Sequence, residues 1–312
     1  MYYKSLLSAC GIILLISFIY FKSTDLLADK NLASPVLGVS KIKISENIWY
    51  PEIENDYSGR FVDAPEITAI SALFIETNTG QVLYAKNPRQ ELSIASLTKI
   101  MTTIIALDNR NIDDVFSVSE QAAEKEPDKM YLKAGEKLTL KQLLDGLYLV
   151  SANDAAEVIA ENTTGRREEF INLMNSKARQ LGMNNTFFLN PSGLEEDFAK
   201  QYSTALDVAV MSRYLVKNYP TVVDISSQPY AFIEKTDDHQ DYELYTGINL
   251  LTTYPGVLGL KTGFTPEAGL TLVTLARRGN AEVIGVLLGA VNRRDDAKAM
   301  LDYSFQKLGL EI

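Results

Sequence analysis

The chain has 312 residues, 46% hydrophobic and 22% charged. That is enough apolar material for one large or two small cores, and it excludes wholesale disorder. Lys plus Arg number 30 and Asp plus Glu 40, giving a net charge of −10; an acidic chain with no basic block is a poor nucleic-acid binder. A single cysteine, Cys10, allows no intrachain disulfide and no Cys-based zinc site, and a single histidine, His239, excludes a multi-His metal centre. No metal and no cofactor are expected. His239 sits in the acidic run Asp237-Asp238-His239-Gln240-Asp241 and reads as a solvated loop histidine. Acid–base chemistry then falls to Lys, Asp, Glu, Tyr or Ser.

In chain order, residues 1–30 read as an address. Ser5–Phe21 carries no charge, with Lys4 before it and Lys22, Asp25 and Asp29 after it. The run exceeds the ~7–15 apolar residues of a signal-peptide core and just reaches the ~17–25 of a membrane span. Tyr2, Tyr3 and Tyr20 near its ends suit the headgroup layer. The reading taken is an uncleaved membrane anchor; cleavage after Ala28 is the alternative. Leu7-Ser8-Ala9-Cys10 opens the apolar run, whereas a lipoprotein box would follow it. Either address places the folded part outside the cytoplasm.

Residues 31–64 read as a tether, with Pro35, Pro51 and a polar stretch from Glu52 to Arg60. Trp49 is the only tryptophan, and sequence does not decide whether it docks. The folded unit, residues 65–312, opens on a hairpin pattern: Ile67 to Glu76, a turn at Asn78-Thr79-Gly80, then Gln81 to Ala85. A helix is expected from near Ser96 through Ile100, Ile104 and Leu107. Leu138 to Ala160, Glu168 to Leu181 and Ala205 to Val216 carry helical apolar spacing. A second hairpin follows: Leu270 to Ala276, a turn at Arg278-Gly279-Asn280, and Ala281 to Leu288. The last helix gathers Ala297, Met300, Leu301, Phe305 and Leu308 on one face. This order predicts an α+β fold, in which an antiparallel sheet built from both ends of the chain is flanked by helices, with an all-helical lobe beside it. A cleft between sheet and lobe is the expected place for a site.

Three motifs bear on chemistry: Ser96-Leu97-Thr98-Lys99, Ser151-Ala152-Asn153 and Lys261-Thr262-Gly263. Singly they carry little weight, since S-x-x-K also occurs at Ser40–Lys43 and Ser304–Lys307, and S-x-N at Ser45–Asn47. Order and context carry the signal. Ser96 starts a helix after a strand hairpin, Ser151 follows the helical stretch Leu143 to Val150, and Lys261 lies just before a strand hairpin. Residues i and i+3 share a helix face, so Lys99 reaches Ser96. A serine hydroxyl needs an adjacent base. A lysine serves when burial and a neighbouring cation such as Lys261 lower its pKa. A helix N-terminus also offers free N–H groups for a developing oxyanion.

With these motifs the sequence resembles the penicillin-recognising serine enzymes, and more closely the low-molecular-mass D-alanyl-D-alanine carboxypeptidases of peptidase family S11. The resemblance rests on Ala95 to Thr102, Ser151 to Ala156, Asn190-Pro191-Ser192-Gly193-Leu194, Ser203 to Asp207 and Gly259 to Gly269, and covers about residues 65–310. It implies a β-lactamase/transpeptidase-like fold. The family often has Pro where Ile94 stands, His where Ser192 stands and Asp where Leu258 stands. The C-terminal β-domain and amphipathic anchor of many relatives are not expected after the last helix, which favours the N-terminal anchor.

The resemblance also implies roles. Ser96 attacks the carbonyl between two D-alanines and forms an acyl-enzyme, Lys99 takes its proton, and Ser151 relays a proton to the leaving amine. The Asn153 amide holds the acyl chain; Lys261 and Thr262 bind the terminal carboxylate. Backbone N–H groups of Ser96 and Phe264 form an oxyanion hole, Gly263 leaves room for substrate, and Arg293 orients the carboxylate. The implied partners are peptidoglycan stem peptides ending in D-Ala-D-Ala, β-lactams as covalent inhibitors, and a membrane through the N-terminal segment. A class A β-lactamase would need a deacylating Glu in an E-x-x-x-N loop. Glu168–Asn172 fits that pattern but follows Ser151 too closely and lies in a helical stretch, so it reads as a chance match. A non-catalytic sensor of wall peptides or β-lactams is the other alternative.

Overall fold

The computed structural model describes residues 49–51, 61, 63–195 and 200–310, all within the unit Glu46–Ile312. The anchor reading of Ser5–Phe21, and Cys10 with it, lies outside the described residues. Among the described residues no helix is long and apolar enough to cross a membrane.

Both expected hairpins form. Strands β1 (Ser71–Glu76) and β2 (Val82–Lys86) turn through residues 77–81, where the Glu76 carboxylate accepts from the backbone N–H groups of Asn78 and Thr79. A short 3-10 turn, Ala95–Leu97, leads into α1 (Thr98–Asn109). Then come β3 (Val115–Ser117), α2 (Glu120–Ala123) and β4 (Lys137–Thr139), with β3 and β4 paired as a small ribbon. Thr139 caps α3 (Leu140–Leu149) in a reciprocal capping box with Gln142. The lobe continues with α4 (Asn153–Thr164), α5 (Arg167–Gln180), α6 (Ala205–Asn218) and α7 (Pro220–Ser226). A second ribbon, β5 (Tyr230–Ile233) with β6 (Tyr242–Tyr245), and the short α8 (Leu250–Thr253) follow. The chain ends on β7 (Val257–Thr265), β8 (Gly269–Arg278), β9 (Ala281–Ala290) and α9 (Arg293–Lys307).

The main sheet is antiparallel, in the order β2-β1-β9-β8-β7. β1 and β9 pair from Ser71 opposite Leu288 to Glu76 opposite Val283, so the two ends of the domain meet in mid-sheet. Alternation sorts the strand residues onto two faces. Leu73, Ile75, Val273, Leu275, Ile284 and Val286 join the core under the helical lobe. Phe74, Leu83, Leu272, Val283 and Leu287 pack against Ala297, Met300, Leu301 and Phe305 of α9. Helix α1 lies innermost, buried from Thr98 to Ala106. Ile100, Met101 and Ile104 are fully buried and stabilise the fold by roughly 1.5–3 kcal/mol each. That helix is dry because its apolar residues fill its surroundings, and it carries Lys99 with it.

Two expectations need correction. The helical spacing of Leu138 to Ala160 belongs to two helices; the chain breaks at residues 150–152, with Ser151 at φ +61°. Lys261 precedes the β8–β9 hairpin as expected and lies within an edge strand of its own, β7. His239 is buried, 7% exposed. Its Nδ1 meets the Gln240 carbonyl at 2.7 Å and its Nε2 faces Gln142 Nε2 at 3.2 Å, because the β5–β6 ribbon folds onto the lobe. The described residues of the expected tether also pack on the domain: the Arg213 guanidinium lies 4.1 Å from the Trp49 ring centre, and Phe61 meets Tyr84 at 5.4 Å.

Candidate active site

Ser96, Lys99, Ser151, Asn153 and Lys261 converge where the 3-10 turn, α1, the break between α3 and α4, and the edge strand β7 meet. Ser96 sits in the turn before α1, half-buried, after Ala95 at φ +48°. One helical turn on, Lys99 Nζ lies 2.9 Å from Ser96 Oγ. The same nitrogen reaches Asn153 Oδ1 at 2.7 Å and the Ser192 carbonyl at 2.7 Å.

The orientation of the Asn153 amide is fixed chemically. Its Nδ2 donates to the Pro127 carbonyl, which only accepts, so Oδ1 must face Lys99. In this arrangement Oδ1 is bound to Lys99 and one of the two Nδ2 hydrogens to Pro127.

Lys99 is completely buried, and its pKa falls well below the ordinary lysine value. Burial is the largest cause and the charge of Lys261 the next; Asp128 and Asp154 pull the other way. A neutral lysine amine has two hydrogens and one lone pair. Asn153 Oδ1 and the Ser192 carbonyl take the two hydrogens, which leaves the lone pair for the Ser96 hydroxyl.

The break at Ser151 is set from both sides. The Asp154 carboxylate accepts from the N–H groups of Met130, Leu132 and Ala155, and Asn153 N–H donates to the Asp128 carbonyl. The second ribbon is tied to the break through Gly247 N–H and the Leu149 carbonyl. Ser151 Oγ accepts from Lys261 Nζ at 2.9 Å, and that nitrogen also donates to the Thr262 carbonyl. Lys261 is buried, and its pKa is pushed down to about 7, by burial first and then by the Arg293 charge.

Arg293 starts α9 and donates to the carbonyls of Gly263 at 2.8 Å and Thr271 at 3.3 Å, lacing β7 to β8. Arg293 and Thr262 line a small cavity of about 40 Å³ with Gly247, Asn249 and Leu272. Phe264 is 61% exposed on the same strand.

Gly263 is explained differently from the sequence expectation. A Cβ there would stand 2.8 Å from Ser96 N and 3.1 Å from Ala95 Cβ. The missing side chain makes room for the nucleophile's own turn rather than for substrate, and it holds the strand against the Ser96 N–H. Glu168 is exposed on α5. Sequence reasoning missed the Ser192 carbonyl, whose signal is the Pro191–Gly193 turn chemistry beside Asn190. Among the described residues no group of three or more His, Cys, Asp or Glu side chains is placed to hold a metal ion.

A profile of the peptidase S11 family, D-alanyl-D-alanine carboxypeptidase, matches residues 59–292. The chain is 39% identical over 247 residues to the D-alanyl-D-alanine carboxypeptidase DacF of Bacillus subtilis, covering 77% of this chain and 62% of that protein. It is 32% identical over 262 residues to a D-alanyl-D-alanine carboxypeptidase of Streptomyces sp. strain K15, covering 78% and 89%. Among solved structures, the Streptomyces K15 DD-transpeptidase superposes with a TM-score of 0.73 at 30% identity, over 78% of this chain and 99% of that one.

Proposed function

Because the chain belongs to the peptidase S11 family, we propose that it is a serine-type D-alanyl-D-alanine carboxypeptidase that removes the terminal D-alanine from peptidoglycan stem peptides. The observation that carries this reading is the hydrogen bonding of Lys99, whose two strong acceptors leave its lone pair 2.9 Å from Ser96 Oγ.

Ser96 Oγ attacks the carbonyl between the two D-alanines while Lys99 Nζ takes its proton. The developing oxyanion meets the N–H groups of Ser96 and Phe264; losing one such donor typically costs ~2.7–4 kcal/mol. Ser151 Oγ already accepts from Lys261, so it relays the proton: it gives its own hydrogen to the leaving amine and takes in its place the one Lys99 removed from Ser96, which returns Lys99 to its neutral form. The C–N bond breaks, D-alanine departs, and the acyl group remains on Ser96. Water, deprotonated by Lys99, then cleaves the ester and regenerates the serine. Thr262, Lys261 and Arg293 receive the terminal carboxylate beside the small cavity that Thr262 and Arg293 line. Asn153 serves as a fixed acceptor for Lys99, and its second Nδ2 hydrogen is the one left to hold the acyl chain. β-Lactams enter as covalent inhibitors through the same attack.

The site of action is extracytoplasmic, with the uncharged run Ser5–Phe21 as the membrane anchor. N-terminal sequencing of the mature protein tests that assignment; a start near Asp29 would replace the anchor with a cleaved signal.

The enzyme assay is direct. Protein incubated with a D-Ala-D-Ala-ended peptide should release D-alanine, and intact-mass analysis after penicillin should show one adduct on the Ser96 peptide, absent in Ser96→Ala. An adduct retained in Ser96→Ala would overturn the assignment. Adding an amine acceptor to the assay separates hydrolysis from transpeptidation.

A further inference from the structure

The turn from Asn190 to Leu194 has no role in the reaction beyond lending one carbonyl, yet it is the most heavily fastened loop at the site. Asn190 is completely buried. Its Oδ1 accepts from Ser192 N–H at 3.2 Å, Ser192 Oγ at 3.2 Å and Gly193 N–H at 2.7 Å, and its Nδ2 donates to the Leu194 carbonyl at 2.7 Å. Backbone N–H groups only donate and carbonyls only accept, so this amide has one possible orientation. A single side chain closes the turn from within.

The closed turn is pinned to the nucleophile's elements at three points. Thr102 Oγ1, one turn beyond Lys99, donates to the Pro191 carbonyl at 2.6 Å. Lys99 Nζ donates to the Ser192 carbonyl. Gly193, at φ +89°, lies so close to the Ser96 turn that a Cβ would stand 1.9 Å from the Ala95 carbonyl oxygen.

We propose that Asn190 is a positioning residue of the reaction: by closing this turn it fixes the Ser192 carbonyl as an acceptor for Lys99 and so aims the Lys99 lone pair at Ser96. The proposal rests on Lys99 being the base. Without Asn190 the turn loses all four of these hydrogen bonds, and the Ser192 carbonyl is held only through the neighbouring Pro191 and Gly193 contacts. One Lys99 N–H then lacks a fixed acceptor and turns toward Ser96 Oγ, setting a donor where the reaction needs a lone pair. A carbonyl acceptor also favours the charged amine over the neutral one. Its loss therefore lowers the pKa of the base, and the acid limb of the acylation profile moves to lower pH while the plateau falls.

The test is the second-order rate of acylation by one penicillin, measured against pH for two full-length variants and the wild type. Asn190→Ala should acylate roughly 10–100-fold more slowly, with its acid limb displaced toward lower pH. Asn190→Asp keeps the acceptor oxygen, and the Leu194 carbonyl keeps its second donor, Gln201 Nε2 at 2.8 Å; it should recover most of the rate. The proposal is overturned if Asn190→Ala matches wild type in rate and limb. It is also overturned if the Ala and Asp variants fall equally with an unmoved limb, since that is the mark of a merely structural role. Should Asn190→Ala fail to fold, Asn190→Asp decides: a folded Asp variant near the wild-type rate supports the proposal, and one that acylates tenfold more slowly or worse overturns it. A wild-type protein that forms no adduct would remove the reading of Ser96 and Lys99 as nucleophile and base, and this proposal with it.

Discussion

Lys261 Nζ donates to Ser151 Oγ at 2.9 Å, and this hydrogen bond joins the edge of the sheet to the helical lobe across the cleft. It occupies the serine's acceptor side and sets a second buried amine near Lys99, where its charge helps to keep Lys99 neutral.

The two lysines should therefore respond differently to arginine. Lys99→Arg should be nearly as damaging as Lys99→Ala, because a guanidinium stays protonated and cannot act as a base. General-base help is typically worth ~10²–10⁴ in rate, so the loss should fall in that range. Lys261→Arg keeps a cation beside the carboxylate site and should retain more activity, mainly with weaker substrate binding. Acylation rates with one β-lactam measure both; Lys99→Arg acylating as fast as wild type would reassign the base.

The pKa of Lys261 near 7 gives kcat/KM an alkaline limb. Below about 7 the free enzyme presents a cation to the substrate carboxylate, and above it a neutral amine. Lys261→Arg should flatten that limb. The stability dependence has the opposite sense. Between about 7 and the unfolded lysine value, the unfolded chain binds more protons than the folded one, so stability rises with pH through that window. Thermal unfolding of wild type and Lys261→Met from pH 7 to 10 should show the wild type gaining on the variant. An unchanged difference would mean that Lys261 does not titrate there.

Gly263→Ala should fold but acylate poorly. The new Cβ would meet Thr271 Oγ1 at 2.6 Å and Ser96 N at 2.8 Å. The buried threonine hydroxyl turns only by giving up its hydrogen bond to the Ile94 carbonyl, and the Ser96 backbone moves only by displacing the nucleophile. Overpacking of this kind costs about 1–3 kcal/mol, and a shift of the nucleophile by an ångström costs on the order of 10²-fold in rate. Penicillin acylation beside thermal unfolding separates the two effects. Wild-type acylation would show that the strand and the turn are free to part.

Trp49→Ala should lower stability by roughly 0.5–3 kcal/mol without changing the acylation rate. The indole lies under the Arg213 guanidinium and against Gly80, remote from the Ser96 chemistry in its partners. Denaturant unfolding measures the first effect; no change in midpoint would mean that the indole adds nothing to the folded domain.

The hairpins and the Ser96–Lys99 pair were legible because their geometry is local, with strand alternation in one case and i,i+3 helix spacing in the other. The break before Ser151 was not legible. Apolar spacing runs through α3 and α4 alike, and the residue that turns the chain, Ser151 at φ +61°, is neither glycine nor proline. The Lys99–Asn153 and Lys261–Ser151 contacts span 54 and 110 residues, beyond any local pattern. The Ser192 acceptor is a backbone carbonyl, which every residue carries, so side-chain identity does not mark it. His239 misled because its acidic neighbours suggest solvent, whereas the packing of the β5–β6 ribbon onto α3 decides its burial.

The pairing of β1 with β9 has a consequence for biogenesis. The first strand of the sheet waits for Ala281–Ala290 before its second partner exists, and the strand bearing Lys261 reaches β1 only through β8 and β9. Ser96, Lys99 and Ser151 leave the ribosome well ahead of the residues that complete their pocket. A chain truncated before β9 therefore carries the nucleophile and the base but lacks the sheet that aligns them. Non-local closure of this kind is slow, and it keeps the growing chain inert until its last strands arrive.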